Sequence, residues 1–224
     1  MSGLKLVLFD CDGTLVDSQH MIVAAMGVAF TENKLPLLPR EKVLSIVGLS
    51  LHEAIGTLLP KAEPDVLVRV TEAYRDAFSG LRGREDLHEP LFEGTLEALD
   101  LLADQDDVLL GIATGKSQKG LCNILALHGL ENYFVTLQTA DDAPSKPHPG
   151  MVERALFETG VSAADAVVIG DTSYDMIMAR SAGAAGLGVS WGYHAPEMLS
   201  REGAHAVLGH FGELEGALND IWRV

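Results

Sequence analysis

Short apolar runs recur along most of the chain and are separated by segments with helical spacing of apolar residues. The first run, 6–9, is uninterrupted, which is typical of a strand buried on both faces of a parallel sheet. Similar runs follow at 108–113, 134–138, 166–169 and 184–189. Strands that alternate with helices in this way predict an α/β fold with a doubly wound parallel sheet.

The helices predicted between and after these strands cover residues 95–103, 118–127, 149–159, 174–181 and 211–222. Only the stretch from 17 to 90 lacks a strand. Proline residues divide it into four helical segments, 17–33, 40–47, 50–59 and 64–79, followed by a polar connector at 80–89. We therefore predict a core of residues 1–16 and 91–224, with an all-helical domain of residues 17–90 inserted after the first strand.

Composition narrows the class of protein. Hydrophobic residues make up 47% of the 224 positions, enough for a sizeable core. No apolar run approaches the roughly 18 residues of a membrane span, and the chain begins directly with a strand. We predict a cytoplasmic protein that does not bind membranes. Cys11 and Cys122 lie far apart and are predicted to be reduced thiols.

The formal net charge of −16 argues against nucleic acid or an anionic membrane as a partner. Residues 17–90 nevertheless hold 8 of the 16 cations, which could meet a small anionic ligand. The alternative is that Arg69 and Arg75 belong to a solvated helix face and pair with Glu72 and Asp76.

Polar segments follow the predicted strands at the edge of the sheet where ligands bind in such folds. Asp10 and Asp12 end the first strand, and Gly13 permits a tight turn there. The later segments are Thr114-Gly115-Lys116, Ser145-Lys146-Pro147 and the stretch from Gly170 to Asp175. The topology is expected to bring all of them together.

Carboxylates from two separate loops suit a hard cation such as Mg²⁺, and Asp10 and Asp171 are the predicted ligands. Thr114 and the backbone amides around Gly115 would donate hydrogen bonds to phosphate oxygens. Lys146 would balance the negative charge. An isolated Thr-Gly or Lys-Pro pair is weak support, so the prediction depends on their order and placement.

Together, Asp10-Cys11-Asp12-Gly13-Thr14, Thr114-Gly115, Lys146-Pro147 and Gly170-Asp171 through Asp175 resemble the four motifs of the haloacid dehalogenase-like hydrolase superfamily. The resemblance implies a Rossmann-like core with a small helical cap, and a Mg²⁺-dependent phosphatase. Asp10 would be the nucleophile that forms an aspartyl-phosphate. Asp12 would be the general acid and base and would touch the metal through its backbone carbonyl, while Asp171 anchors the ion and Asp175 supports its surroundings.

The substrate expected from this resemblance is a small phosphorylated metabolite, with phosphoglycolate as the first choice. Its predicted contacts are Gly13, Thr114, Gly115, Lys146 and, from the cap, His52, although an exposed cap histidine is more often inert. Thr114 and Lys146 are also counted with the catalytic residues. The cap is expected to move on hinges at 14–20 and 86–92, in a monomer or homodimer.

Related activities differ from the pattern in this chain. Relatives that attack carbon in haloacids lack a carboxylate at the position of Asp12, and phosphonate-cleaving relatives use a cap lysine that residues 47–53 do not contain. Hexose-phosphate mutases resemble the chain, but Leu51 stands where their sugar-phosphate-binding arginine is expected. A sugar phosphomutase and a non-catalytic protein that binds a phosphate ligand remain the alternatives.

Overall fold

A computed structural model describes residues 3–84 and 87–223. Its strands are β1 (Lys5–Phe9), β2 (Val108–Ala113), β3 (Thr136–Gln138), β4 (Ala166–Gly170), β5 (Ala185–Val189) and β6 (Ala206–Leu208). They form one sheet in the order β3-β2-β1-β4-β5-β6, and every neighbouring pair is parallel. The predicted α/β, Rossmann-like fold is confirmed.

Helices cover both faces of this sheet. They are α1 (Gln19–Glu32), α2 (Arg40–Leu44), α3 (Leu51–Leu58), α4 (Pro64–Leu81), α5 (Thr95–Ala103), α6 (Gln118–His128), α7 (Gly150–Thr159), α8 (Ser173–Ser181), α9 (Pro196–Arg201) and α10 (Leu214–Trp222). Val7 and Phe9 of β1 pack on the face that carries α5, α6 and α10, while Leu6 and Leu8 pack towards α7 and α8. This double burial explains the uninterrupted apolar sequence of β1.

Several element boundaries differ from the prediction. The prediction lacks strand β6 and helix α9, because each is too short to show a periodic pattern of apolar residues. In β6, only Leu208 is buried. Strand β3 begins at Thr136 rather than at residue 134, since Val135 is largely exposed. Helix α2 ends at Leu44, and the chain then turns towards the sheet. The last helix is preceded by a 3₁₀ turn at Phe211–Glu213.

Helices α1 to α4 share an apolar core of their own, built around buried residues such as Phe30, Ile55 and Val70. The chain enters and leaves this helical insert at two adjacent crossings. The Asp17 N–H donates to the Pro90 carbonyl at 2.8 Å, and the Phe92 N–H donates to the Leu15 carbonyl at 3.0 Å.

These crossings fall within the predicted hinges at 14–20 and 86–92, of which Asp86 lies outside the described residues. The division into a core of 1–16 and 91–224 and a cap of 17–90 remains a prediction, as do the hinges. The described helices include none that is long and apolar enough to cross a membrane.

The sheet order explains where a ligand can bind. Strands β1 and β4 are neighbours, although a long stretch of chain separates them. The crossover connections reverse direction between these two strands, and this leaves a crevice beyond their carboxyl ends. Asp10 follows β1 and Asp171 follows β4, so the fold delivers both carboxylates to the crevice.

Candidate active site

A buried lysine lies beneath the first carboxylate. Lys146, on the loop after β3, places its Nζ 2.9 Å from Asp10 Oδ1 and 2.6 Å from Asp175 Oδ1. All three side chains are almost completely removed from solvent. The Cys11 N–H also donates to Asp10 Oδ1, at 2.6 Å. One oxygen of Asp10 is therefore fixed by hydrogen bonds, and the ammonium group compensates part of the negative charge.

Asp171 is held by groups from two other loops. The Thr14 hydroxyl donates to its Oδ1 at 3.1 Å, and the Tyr193 N–H donates to its Oδ2 at 2.8 Å. Gly13 has a φ of +91°, and a Cβ at this position would lie 2.3 Å from Asp171 Oδ2. Because any side chain at residue 13 would displace the carboxylate, glycine is required for the turn after β1 to reach the end of β4.

Asp175 links the lysine to the start of α8. Its Oδ2 accepts the Thr172 N–H at 3.1 Å and the Thr172 hydroxyl at 2.6 Å, while Oδ1 accepts from Lys146. The Thr172 side chain in turn accepts the Asp175 N–H, which completes a capping box. Both Asp175 oxygens are thus engaged within the protein, and this residue positions Lys146.

Asp12 has a different set of partners. Its Oδ1 is 3.0 Å from Lys116 Nζ and also accepts a short hydrogen bond from the Ser18 hydroxyl. The Lys116 ammonium group lies 5.3 Å from the centre of the Phe78 ring on α4. Sequence reasoning placed Lys116 in a motif but gave it no role. Its position could have indicated a role, because Lys116 is a cation only two residues after Thr114, close to the end of β2.

A cavity of about 500 Å³ separates the sheet edge from the helical insert. Asp10, Asp12, Thr114 and Gly115 line it from the sheet side, and the exposed His52 lines it from α3. Of the predicted substrate contacts, Thr114, Gly115 and His52 therefore face one space, whereas Gly13 and Lys146 are not among the described residues that line it. Of the two arginines considered above, Arg75 also lines this cavity.

The turn between α2 and α3 lies directly against the core. The Ser50 N–H donates to Ser145 Oγ at 2.8 Å, and the Tyr174 hydroxyl donates to the Ser45 carbonyl at 3.3 Å. At Gly115 an added Cβ would lie only 2.4 Å from the Leu49 carbonyl oxygen. The insert is thus seated on the sheet edge, and a side chain at residue 115 would separate the two.

Burial dominates the electrostatics of the carboxylates. It raises the pKa of Asp10 to about 7, with Lys146 opposing the shift, and it raises the pKa of Asp171 well above the ordinary value. Burial alone would lower the pKa of Lys146, but Asp10 and Asp175 reverse this, so its pKa is raised and the ammonium form is kept. The cluster carries more negative charge than its one lysine balances.

This arrangement fits a divalent cation. Oxygen atoms of Asp10, Asp171 and Asp175, all buried, lie within 4.8 Å of one another. Asp10 Oδ2 is buried and has no hydrogen-bond partner within residues 3–84 and 87–223. Leaving a buried carboxylate oxygen unpaired is costly, and a hard cation that prefers oxygen ligands would satisfy it.

Comparison with known proteins decides the family. The family described as haloacid dehalogenase-like hydrolase matches residues 7–189, which is most of the chain. The chain belongs to this family. The match includes every predicted site residue, from Asp10 to Asp175.

Individual relatives of this haloacid dehalogenase-like hydrolase agree with the assignment. A probable phosphatase, IndB, of Dickeya dadantii is 35% identical over 222 residues, which cover 98% of this chain and 95% of that protein. A phosphoglycolate phosphatase of Vibrio parahaemolyticus is 29% identical and covers 94% of both chains. A solved structure of a predicted phosphatase from Clostridium acetobutylicum has a TM-score of 0.85 at 24% identity, with complete coverage of both chains.

The resemblance inferred from the four motifs is therefore confirmed, as is the prediction of a haloacid dehalogenase-family phosphoric monoester hydrolase. The roles of individual residues stay predictions. The structure brings the side chains of Asp10, Lys146, Asp171 and Asp175 into one buried cluster and places Thr114, Asp12 and His52 on the adjoining cavity. Trp191, in the stretch after β5, donates to the Thr14 carbonyl and packs on Phe211.

Proposed function

We propose that this hydrolase is a Mg²⁺-dependent phosphatase that cleaves a phosphomonoester through an aspartyl-phosphate on Asp10. The observation that carries the proposal is the buried, unpartnered Oδ2 of Asp10 at the edge of a cavity that Asp12 also lines. In its ionised form, which a bound cation favours, the Asp10 carboxylate needs no general base to act as a nucleophile. Lys146 holds the other Asp10 oxygen at 2.9 Å and so fixes the direction of attack.

Two steps follow from the positions of the two carboxyl groups. In the first, one oxygen of the Asp10 carboxylate bonds to phosphorus while the bond to the ester oxygen breaks, and the carboxylic acid form of Asp12 supplies the proton to the departing alcohol. In the second, Asp12 takes a proton from a water molecule that attacks phosphorus, which releases inorganic phosphate and restores Asp10. Ser18 and Lys116 fix the orientation of the Asp12 carboxyl group for both transfers.

Phosphate oxygens would be bound by the hydroxyl of Thr114 and the backbone amides near Gly115, which line the cavity. Asp10 and Asp171, together with the Asp12 backbone carbonyl, are the proposed ligands of Mg²⁺, and Asp175 supports them by holding Lys146. When bound, Mg²⁺ reduces the repulsion between the nucleophile and an anionic phosphate. His52 is proposed to contact the leaving group.

The substrate is proposed to be a small phosphorylated metabolite. Phosphoglycolate is the first compound to test because the Vibrio relative is named as a phosphoglycolate phosphatase. Simple hydrolysis is favoured over phosphomutase activity because the apolar Leu51 lines the cavity where a sugar-phosphate-binding arginine would be expected. Phosphate release should be measured for a panel of phosphomonoesters with Mg²⁺ and with chelator.

Each alternative makes a different prediction for this panel. Metal-dependent release of phosphate supports the phosphatase. A requirement for a bisphosphate activator would instead support a mutase. Tight binding of a phosphate ester without product would indicate a binding protein.

Metal-free protein should lose stability as the pH rises from about 4 to about 7. The pKa of Asp10 is raised from 3.8 to about 7, so the folded state binds a proton that the unfolded state has released, and the free energy of unfolding falls with pH across that window. The expected loss is a few kcal/mol, since one pKa unit corresponds to about 1.4 kcal/mol.

Urea denaturation at pH 5 and pH 8, with chelator and with Mg²⁺, measures this effect. Mg²⁺ should restore stability at pH 8, because a ligand that binds only the folded state stabilises it by mass action. Equal stability of the chelated protein at both pH values would contradict the assigned electrostatics. The Asp10→Asn variant should show a shallower dependence.

Lys116→Met is expected to lower kcat by about 10-fold to 100-fold, the cost of misplacing an acid–base group. The substitution leaves Ser18 as the partner that fixes the Asp12 carboxyl group. Lys119→Met is the matched control, because Lys119 also lines the cavity but is exposed and lies outside the Asp12 ion pair. Equal kcat values for the two variants would exclude a specific role for Lys116.

A further inference from the structure

The wall that the helical insert contributes to the cavity has an apolar part beside charged residues. Arg75, Asp76 and Arg82 of the insert also line the cavity. The apolar part is formed by Met26 from α1, Val47 from the turn before α3, Leu51 from α3, and the rings of Tyr74 and Phe78 from α4. A short hydroxyacid such as glycolate has almost no apolar surface to place against such a wall. Apolar surface that a ligand removes from water contributes directly to its binding, so the apolar part of this wall favours a leaving group with an apolar face.

The volume of the cavity points in the same direction. At about 500 Å³ it falls within the ~300–1,000 Å³ range of pockets that hold drug-sized ligands. A cavity of this size exceeds what phosphoglycolate fills by a wide margin.

The opposite wall is polar. Ser117 and Asn123 of the α6 region and Asp141 of the loop after β3 line it, and all three are exposed to the cavity solvent. Their hydroxyl, amide and carboxylate groups supply both donors and acceptors. A ligand lying between the two walls would place an apolar surface on one side and a hydrogen-bonding edge on the other.

We infer, resting on the proposed phosphatase function, that the preferred substrate is the phosphomonoester of an alcohol that bears a ring system with an apolar face and a hydrogen-bonding edge. Short acyclic hydroxyacid phosphates are then secondary substrates. The ring packs against Phe78 and Leu51, its polar edge faces Asn123 and Asp141, and its phosphate lies at Asp10. The leaving alcohol departs with the proton from Asp12, as in the reaction above.

The test compares alkyl phosphates whose leaving alcohols have similar basicity. Ethyl phosphate, phosphoglycolate, 2-phenylethyl phosphate and 2-(4-carbamoylphenyl)ethyl phosphate are assayed with Mg²⁺. The value of kcat/KM should be at least about tenfold higher for 2-phenylethyl phosphate than for ethyl phosphate, the gain expected from burying one ring. The carbamoyl compound, which adds a hydrogen-bonding edge, should be better still.

A pair of substitutions locates the ring. Leu51→Trp narrows the cavity and should lower the ratio of kcat/KM values for 2-phenylethyl and ethyl phosphate by about fivefold or more, the scale on which a pocket discriminates small apolar groups. Val68→Trp places the same side chain on an exposed position of α4 and should leave the ratio unchanged. The ratio in the unsubstituted protein tests the inference even if Leu51→Trp does not fold.

The outcomes separate this inference from the proposed function. Preferential hydrolysis of ethyl phosphate or phosphoglycolate would overturn the ring-bearing substrate while supporting the phosphatase. A fall in the ratio with Val68→Trp equal to that with Leu51→Trp would overturn the placement of the ring. Absence of Mg²⁺-dependent release from every compound would reject the phosphatase itself.

Discussion

An Asp10→Asn variant is expected to lose phosphate release by about 10³-fold or more, the scale on which removal of a covalent nucleophile acts. The amide has the same shape as the carboxylate but cannot attack phosphorus. It also removes a negative charge from a cluster in which carboxylate oxygens of Asp10, Asp171 and Asp175 lie within 4.8 Å of one another. Lys146 keeps its 2.6 Å contact with Asp175, so the buried cation is not left alone.

Loss of activity in this variant should therefore occur without loss of the fold. Thermal unfolding of the metal-free protein at pH 8 should show no decrease in Tm, because the substitution relieves repulsion between buried carboxylates. Asp220→Asn, on the exposed surface of α10, is the control and should keep full activity. Near-native hydrolysis by Asp10→Asn would refute the covalent mechanism.

Lys146→Met should destabilise the protein by about 3–5 kcal/mol at pH 8 and also abolish turnover. Removing one partner of a buried ion pair leaves the other charge uncompensated, which costs far more than the pair contributes as a whole. Here the lysine holds two buried carboxylates, Asp10 at 2.9 Å and Asp175 at 2.6 Å. Loss of turnover follows because, within the described part of the chain, only the Cys11 N–H then orients the Asp10 carboxyl group.

The destabilisation should depend on pH with a definite sign. Without Lys146 the pKa of the buried Asp10 carboxyl group lies further above that of the unfolded chain, so this group remains protonated at pH 5 and the variant is least destabilised there. Denaturant titration at pH 5 and pH 8 measures the difference. Lys5→Met is the control: Lys5 pairs with Asp107 at 3.3 Å, and both side chains are partly exposed, so a loss of at most about 1 kcal/mol is expected. An equally small effect of Lys146→Met would contradict the buried network.

Much of the fold could be read from the sequence because its signals are local. The continuous apolar run of β1 reflects burial of the strand on both faces. The helical spacing of apolar residues between the later strands reflects helices that are buried on one face. Strand β6 and helix α9 have no comparable signal, since each is short and mostly not buried. Their positions depend on neighbouring elements rather than on their own periodicity.

The sequence by itself determined the family, through four motifs that each follow a strand, and with it the residue types that the site contains. Which of those residues touch was decided only by the tertiary structure. The order of strands brings Asp171 against Gly13, and Lys146 beneath Asp10, across more than a hundred residues of chain. The same packing seats the insert on the core, pairs Lys116 with Asp12 and sets the size of the cavity. These contacts depend on long-range packing and burial, which leave no periodic or local trace in the sequence.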